Sequence, residues 1–232
     1  MSKQTKAFPW RAVVQMVLIV IVAPLLPMLI SGRWDWWQAW VYALLSILSF
    51  AVSRALAARR HPDLIAERAR FLEAKDTKPW DKILAPLLGL GSVVILIVAG
   101  LDKLYGWSSA FSMPAHVISV IAIILGYAFS SWALIENRFF SGTVRIQTDR
   151  DHKVVSTGPY RIVRHPGYAG GLFGYVFIPL LLDSLWAFVP TVLLAGVMIL
   201  RTALEDKTLQ AELPGYREFA QKTKYRLIPG VW

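Results

Sequence analysis

Residues 168–182 read YAGGLFGYVFIPLLL and residues 185–200 read LWAFVPTVLLAGVMIL, with only Asp183 and Ser184 between them. Two apolar runs of 15 and 16 residues around a two-residue polar break read as a tight helical hairpin inside a membrane. Each falls short of the ~20 residues that carry a helix across a ~30 Å hydrocarbon core, so the pair is tilted or does not fully span. Helix is the expected form, because lipid offers a bare backbone no hydrogen-bonding partner. Upstream lie four more apolar stretches, Ala12–Ile30, Trp36–Leu56, Ile83–Leu101 and Ala115–Ile135, each 19 to 21 residues long. The first is too long for a signal-peptide core and no clear small-x-small cleavage site follows it, so it reads as a retained span. The expectation is an all-α integral membrane protein with about six transmembrane helices, the last two a hairpin.

Composition agrees. The chain has 232 residues, 56% hydrophobic and 17% charged, with a mean hydropathy of +0.48, whereas soluble domains carry about 25% charged residues. That balance excludes a disordered chain, a basic nucleic-acid-binding domain and an ordinary cytosolic enzyme. Ten Trp residues suit interfacial belts, and Trp34, Trp36, Trp37 and Trp107 fall at the expected outer boundary. Cysteine is absent, which removes disulfides, thiolate zinc sites and a cysteine nucleophile. The net charge of +10 is distributed as topology demands: 23 of the 25 Lys and Arg fall on one side of the six stretches, and only Arg33 and Lys103 on the other. The positive-inside rule then puts both termini and the two long loops in the cytoplasm. The loop from Ala57 to Lys82 mixes charges with Leu64, Ile65, Phe71, Leu72 and Trp80 and is expected along the membrane surface. The whole reads as one structural domain, with a four-span membrane region over 1–136 and a loop, hairpin and tail over 137–232.

The chemistry-bearing residues cluster on the loop side. The chain runs His152-Lys153-Val154-Val155, then Gly158-Pro159-Tyr160, then Arg164-His165-Pro166-Gly167-Tyr168. Gly158-Pro159 marks a turn, and Pro166 suits the first position of the fifth helix. Arg164 and His165 therefore stand at the mouth of a membrane helix, where ionisable groups are costly and usually functional; headgroup anchoring by Arg164 is the alternative. Beyond the hairpin, Arg201 and Glu205 are four residues apart and share a helix face, with a simple surface ion pair as the alternative. The hairpin returns this face to the level of Arg164, so one pocket is expected to gather Arg164, Arg201, His165, Tyr160, Tyr168, Glu205 and Asp206. Aromatics and a Gly/Pro turn can enclose a planar base. A carboxylate can accept from ribose hydroxyls or an ammonium group, and Arg can fork onto a carboxylate. The chain shows neither a P-loop nor a Gly-rich dinucleotide fingerprint. Its four histidines have no metal spacing, so no metal is expected; His116 reads as an interface residue.

These ordered motifs resemble the isoprenylcysteine carboxyl methyltransferases and the related phospholipid methyltransferases, whose hallmark is Arg-His-Pro-x-Tyr, a hydrophobic hairpin and Glu-Glu. Tyr216-Arg217-Glu218-Phe219 and Arg226-Leu227-Ile228-Pro229 resemble the family's C-terminal segment. The resemblance runs from about Asn137 to Trp232 and implies S-adenosylmethionine as cofactor at the cytosolic membrane face, beneath a cofactor-binding loop and a C-terminal helix. By resemblance, His152, Lys153, Val154, Val155, Tyr160, His165, Pro166, Gly167 and Tyr168 line the cofactor pocket, with Gln147 beside them and Glu205 and Asp206 as the acidic pair. Arg201 would face the acceptor, and Arg164 is its expected catalytic companion. The second acid is Asp206 where the family has Glu, and the Gly-x-Gly element of phosphatidylethanolamine methyltransferases is missing. The implied acceptor is lipophilic, a carboxylate as in isoprenylcysteine O-methylation. The implied location is a bacterial inner membrane, multi-pass, with both termini cytoplasmic and no nucleic-acid partner. Two other readings stay open: an NADPH-dependent membrane reductase of the sterol reductase type, with Arg145, Arg150 and Lys153 on a 2′-phosphate, and a non-enzymatic transporter or assembly protein.

Overall fold

The computed structural model describes residues 17–69 and 76–232. Lys3, Lys6, Arg11, the start of the first apolar stretch, Phe71 and Leu72 lie outside them. A π-helical turn at Leu18–Val22 leads into α1 (Ala23–Ser31). There follow α2 (Trp37–Arg60), α3 (Pro62–Ala69), α4 (Asp81–Tyr105), α5 (Met113–Glu136), α6 (Pro166–Leu181), α7 (Phe188–Glu212) and α8 (Tyr216–Lys222). The ends obey local rules. α1 and α4 stop at Gly32 and Gly106, both at φ +66°, the left-handed conformation that glycine adopts without strain. α6 opens at Pro166, as the sequence predicts.

Four helices, α2, α4, α5 and α7, are long and apolar enough to cross a membrane; α1 with its leading turn and α6 are shorter. The second arm of the hairpin differs from expectation. It extends well past Leu200 to Glu212, because residues 201–212 hold good helix formers and neither Gly nor Pro. Outward faces are apolar: Leu44, Leu48 and Val52 on α2, Leu87, Leu90 and Val94 on α4, and Val189, Val192 and Leu193 on α7 are all exposed. Water would not tolerate so continuous an apolar surface on a single soluble chain, whereas lipid does. The protein is an all-α integral membrane protein. Inside, Met28, Tyr42, Ile95, Leu96, Ile123, Ile178, Leu181 and Leu194 form the core.

Two features set the loop and tail on this bundle. First, α5 and α6 touch backbone to backbone. A Cβ at Gly126 would lie 2.6 Å from the Gly170 carbonyl oxygen, and one at Gly170 would lie 2.5 Å from that of Gly126. Small residues at a lipid-embedded interface let helices approach this closely, and Ser130 Oγ donates to Gly167 O at 2.8 Å beside them. The polar turn of the hairpin is pinned at the opposite end. Asp183, at φ +53°, accepts from Gln38 Nε2 (2.8 Å) and Phe111 N (2.7 Å) and pairs with His116 Nε2 (2.7 Å). His116 is thus a buried partner of the turn rather than an interface residue.

Second, the tail is clamped to the loop by a buried carboxylate. Asp206 has no solvent exposure and accepts from Arg164 Nε (2.7 Å) and Nη2 (3.1 Å), Arg226 Nε (2.9 Å), Gln210 Nε2 (2.7 Å) and the Tyr216 hydroxyl (3.2 Å). Arg164 Nη1 donates onward to the carbonyls of Thr223 and Lys224, and the backbone N–H groups of Arg164 and His165 reach Tyr225 O and Arg226 O.

Two outcomes follow for purified protein in detergent. Gly170→Ala forces Cβ into the α5 backbone, an overpacking cost of about 1–3 kcal/mol. It should lower Tm by roughly 5 °C, while Gly196→Ala, where a Cβ meets nothing within 4 Å, should leave Tm unchanged. Asp206→Asn strands two guanidiniums in a buried setting at about 3–5 kcal/mol. A Tm fall of roughly 10 °C and faster proteolysis after residue 212 should report it.

Candidate functional site

The segment between α5 and α6 is held in place by ion pairs rather than by regular structure. Its only helical turns are 3-10, at Thr148–Arg150 and Gly158–Arg161. Arg145 bonds Glu67, Asp76 and Asp149. Burial works against its charge, but the three carboxylates outweigh it and raise its pKa above the ordinary arginine value. Arg150 Nη2 reaches Asp63 Oδ2 at 2.6 Å, and Val144 N donates to Asp81 Oδ2 at 2.6 Å. α3 and the start of α4 thereby hold the segment across the end of the bundle.

Beneath it lies a cavity of about 910 Å³. Its walls have two sources. Loop and tail supply His152, Val154, Val155, Tyr160, Leu209, Leu213, Tyr216 and Phe219; α2, α4, α5 and α6 supply Tyr42, Ser46, Ser49, Phe50, Ser53, Ser92, Tyr127 and Tyr175. Between the two sets stand Tyr168, Arg201 and Glu205. The Tyr168 hydroxyl donates to Glu205 Oε2 at 2.7 Å, and the Arg201 guanidinium carbon lies 5.4 Å from the Tyr168 ring centre. Glu205 Oε1 has no hydrogen-bond partner among the described residues.

Every sequence-predicted site residue lines this cavity except Asp206: Gln147, His152, Lys153, Val154, Val155, Tyr160, Arg164, His165, Pro166, Gly167, Tyr168, Arg201 and Glu205. Their side chains are not equally free. Asp206 sits behind the wall as the clamp described above, one residue round the helix from Glu205. Arg164, the expected catalytic companion, has all three guanidinium nitrogens engaged by that clamp and by tail carbonyls. Arg201 is not paired with Glu205; its Nε and Nη2 fork onto Asp81 at 2.7 and 3.0 Å, and Nη2 also reaches Gly142 O. The Gln147 amide is tied at both ends, donating to Phe139 O at 2.7 Å and accepting from Arg150. Lys153 pairs with Asp151 in solvent. Gly167 lies under the Phe140 ring, whose edge a Cβ would meet at 2.5 Å.

Charge in the loop wall is suppressed. Burial, with the positive charge of Arg145 and Arg150, pushes His152 down to about 4, so it is neutral at physiological pH. Its Nδ1 accepts from Gln147 N at 3.3 Å, which leaves the proton on Nε2. Burial also pushes the Tyr160 phenol up, and Asn137 Nδ2 donates to its oxygen at 3.0 Å. The Tyr216 phenol is pushed up by burial and by Asp206. The loop and tail wall is thus a largely uncharged aromatic and aliphatic surface, and Glu205 is the one carboxylate among the described residues that line the cavity.

Sequence reasoning missed Asp81, Arg54, Arg68 and Phe219 in this site. Asp81 and Arg201 are 120 residues apart, and the only trace of their pairing is one acid at the head of an apolar helix.

Much of the wall of this site lies in a segment that a family model matches. Residues 114–213, from the start of α5 to just past α7, match the family model described as phospholipid methyltransferase. The chain is similar to the probable protein-S-isoprenylcysteine O-methyltransferases of Oryza sativa subsp. indica and subsp. japonica, 34% identical over 56 residues, or 24% of this chain and 29% of each relative. It is similar to protein-S-isoprenylcysteine O-methyltransferase B of Arabidopsis thaliana at 35% over 71 residues, 30% of this chain and 32% of the relative. The chain thus spans about a third of the length of the curated relatives it matches. The resemblance to the isoprenylcysteine and phospholipid methyltransferases holds.

Proposed function

We propose that the protein is an S-adenosylmethionine-dependent methyltransferase. It works at the cytoplasmic membrane face on a lipophilic acceptor whose methylated group is a carboxylate. The observation that carries this reading is the cavity's dual wall. One part is walled by the loop and tail with largely uncharged aromatic and aliphatic side chains, the other lies among membrane helices, and Tyr168 of α6 and Glu205 of α7 stand where they join. A water-soluble donor and a lipid-soluble acceptor need such a meeting place.

The residues present suit the cofactor. Tyr160, Val154, Val155, Leu213 and Phe219 offer flat apolar surface for a nucleobase, and the free Glu205 Oε1 suits an ammonium or ribose hydroxyl. S-adenosylmethionine, when bound, supplies an electrophilic methyl group on a cationic sulfur, which an ionised carboxylate attacks with no proton to lose. The chain's own contribution is then placement. Tyr168 fixes the Glu205 rotamer, and Asp81 fixes Arg201 against the Tyr168 ring. Holding two reactants in line is worth several kcal/mol of barrier, and a neutral His152 avoids repelling a cationic donor. His165 packs 6.0 Å from Tyr168, ring to ring, and lies 3.3 Å from Asp206, which fits a positioning role rather than a proton-transfer one.

The cations that the reductase alternative would place on a 2′-phosphate already hold carboxylates, which favours the methyl-transfer reading. Arg145 is taken by three carboxylates, Arg150 by Asp63 and Lys153 by Asp151.

S-adenosylhomocysteine should raise the Tm of the purified protein and NADPH should not; the reverse result would replace this reading with the reductase. Glu205→Ala should weaken S-adenosylhomocysteine binding by about tenfold or more, the size of one charge-assisted hydrogen bond, as read by calorimetry. Topology is directly accessible because the chain has no native cysteine. A thiol reagent that cannot cross membranes should label Ser109→Cys in intact cells and Gln221→Cys only after permeabilisation.

A further inference from the structure

The cations lining the cavity divide into two groups. Arg145, Lys153, Arg164 and Arg201 each hold a carboxylate within 3.0 Å. Arg54 and Arg68 line the same cavity, and among the described residues neither has a carboxylate partner. Arg54 rests on the Phe50 ring, its guanidinium carbon 4.6 Å from the centre. Arg68 lies 5.5 Å over Phe140 and spends one N–H on the Phe140 carbonyl at 3.0 Å. The two are partly buried, and they are close enough to feel each other. Burial, the charge of Arg54 and the charge of Arg201 push Arg68 down to about 9, while Tyr168 acts the other way. A guanidinium stays charged at neutral pH. Two guanidiniums that line one half-buried wall and hold no carboxylate among the described residues leave charge and hydrogen-bonding capacity for a ligand.

Where they stand decides what would satisfy them. Arg54 is the last polar residue on the face of α2 that carries Ser46, Ser49 and Ser53 into the cavity, so it meets the membrane-side part first. Arg68 shares electrostatics with Tyr168 and Arg201 at the junction. Arg201 itself is forked onto Asp81 through Nε and Nη2, which leaves its Nη1 to offer an incoming acid. Both Arg54 and Arg68 also lie outside residues 114–213, on helices that the family match does not include.

We infer that Arg54 and Arg68 form the cradle for the acceptor's carboxylate, holding it ionised and turned toward the Tyr168–Glu205 junction while the lipophilic tail occupies the membrane-side part of the cavity. This rests on the methyl-transfer reading for its reaction, but the binding it requires does not. The N-terminal helices, which carry no motif, then select the acceptor, and the loop and hairpin hold the donor.

The test uses two probes with the same tail, N-acetyl-S-farnesyl-cysteine and its carboxamide, titrated against the full-length protein in detergent. The wild type should bind the acid about tenfold or more over the amide, as charge-assisted hydrogen bonds imply. Arg54→Gln with Arg68→Gln should bring the two within about twofold of each other, and the two Lys variants should keep most of the preference, since charge is retained. Equal binding of acid and amide by the wild type, no binding of either, or a preference that survives the double Gln change would each overturn the proposal. S-adenosylhomocysteine binding is measured alongside. Its retention in the double Gln variant shows an intact donor site, and its absence from the wild type would sink the methyl-transfer reading while the acid-to-amide ratio still judged the cradle.

Discussion

Two buried aspartates carry the geometry of the site. Asp81 at the head of α4 forks onto Arg201 of α7, and Asp206 of α7 forks onto Arg164 at the mouth of α6. Both carboxylates are fully buried. Such pairs add little net stability, because desolvation offsets attraction, yet losing one partner is severe. Their value here is positional. Asp81 also accepts from Val144 N, and the Arg164 head also holds two tail carbonyls. Loop, hairpin and tail are thus bolted to one helix, α7, which presents Glu205 between the two bolts.

Local patterns made much of this readable. The proline at the mouth of α6, the two-residue break at Asp183 and the Gly158-Pro159 turn all act through nearest neighbours, and the structure places an element end or turn at each. The extent of α7 was less legible. Hydropathy falls at Arg201, but helix propensity does not, and the helix follows propensity until Leu213-Pro214-Gly215 stops it. The contribution of α2 and α3 was not legible at all. Arg54 and Arg68 read as ordinary cations of a basic loop, and only the fold shows that their neighbours Arg145 and Arg150 took the nearby acids Asp63, Glu67 and Asp76.

Adjacent residues of one helix also part company in a way spacing alone predicts. Glu205 and Asp206 stand about 100° apart around α7, so they cannot both face one cavity squarely. The longer acid turns to the cavity and the shorter one to the clamp. A side chain one methylene longer at 206 would have to bend to accept from Arg164, Arg226, Gln210 and Tyr216 within the same closed space, where extra volume is costly. The departure from a Glu-Glu pair is therefore suited to the clamp, and says nothing against Glu205.

The same partition bears on how the proposed methyl transfer would proceed in a chain without cysteine. Removing a proton from an acceptor would require a base of suitable pKa, yet His152 is held neutral and only weakly basic, and His165 is bound up with Asp206 and Tyr216. An acceptor that arrives already ionised makes no such demand. It needs cations to keep it charged as it leaves water, and a surrounding too poor in water to compete for it. On the proposed reading, guanidiniums that hold no carboxylate among the described residues, beside a wall of phenols and aliphatic side chains, meet both needs.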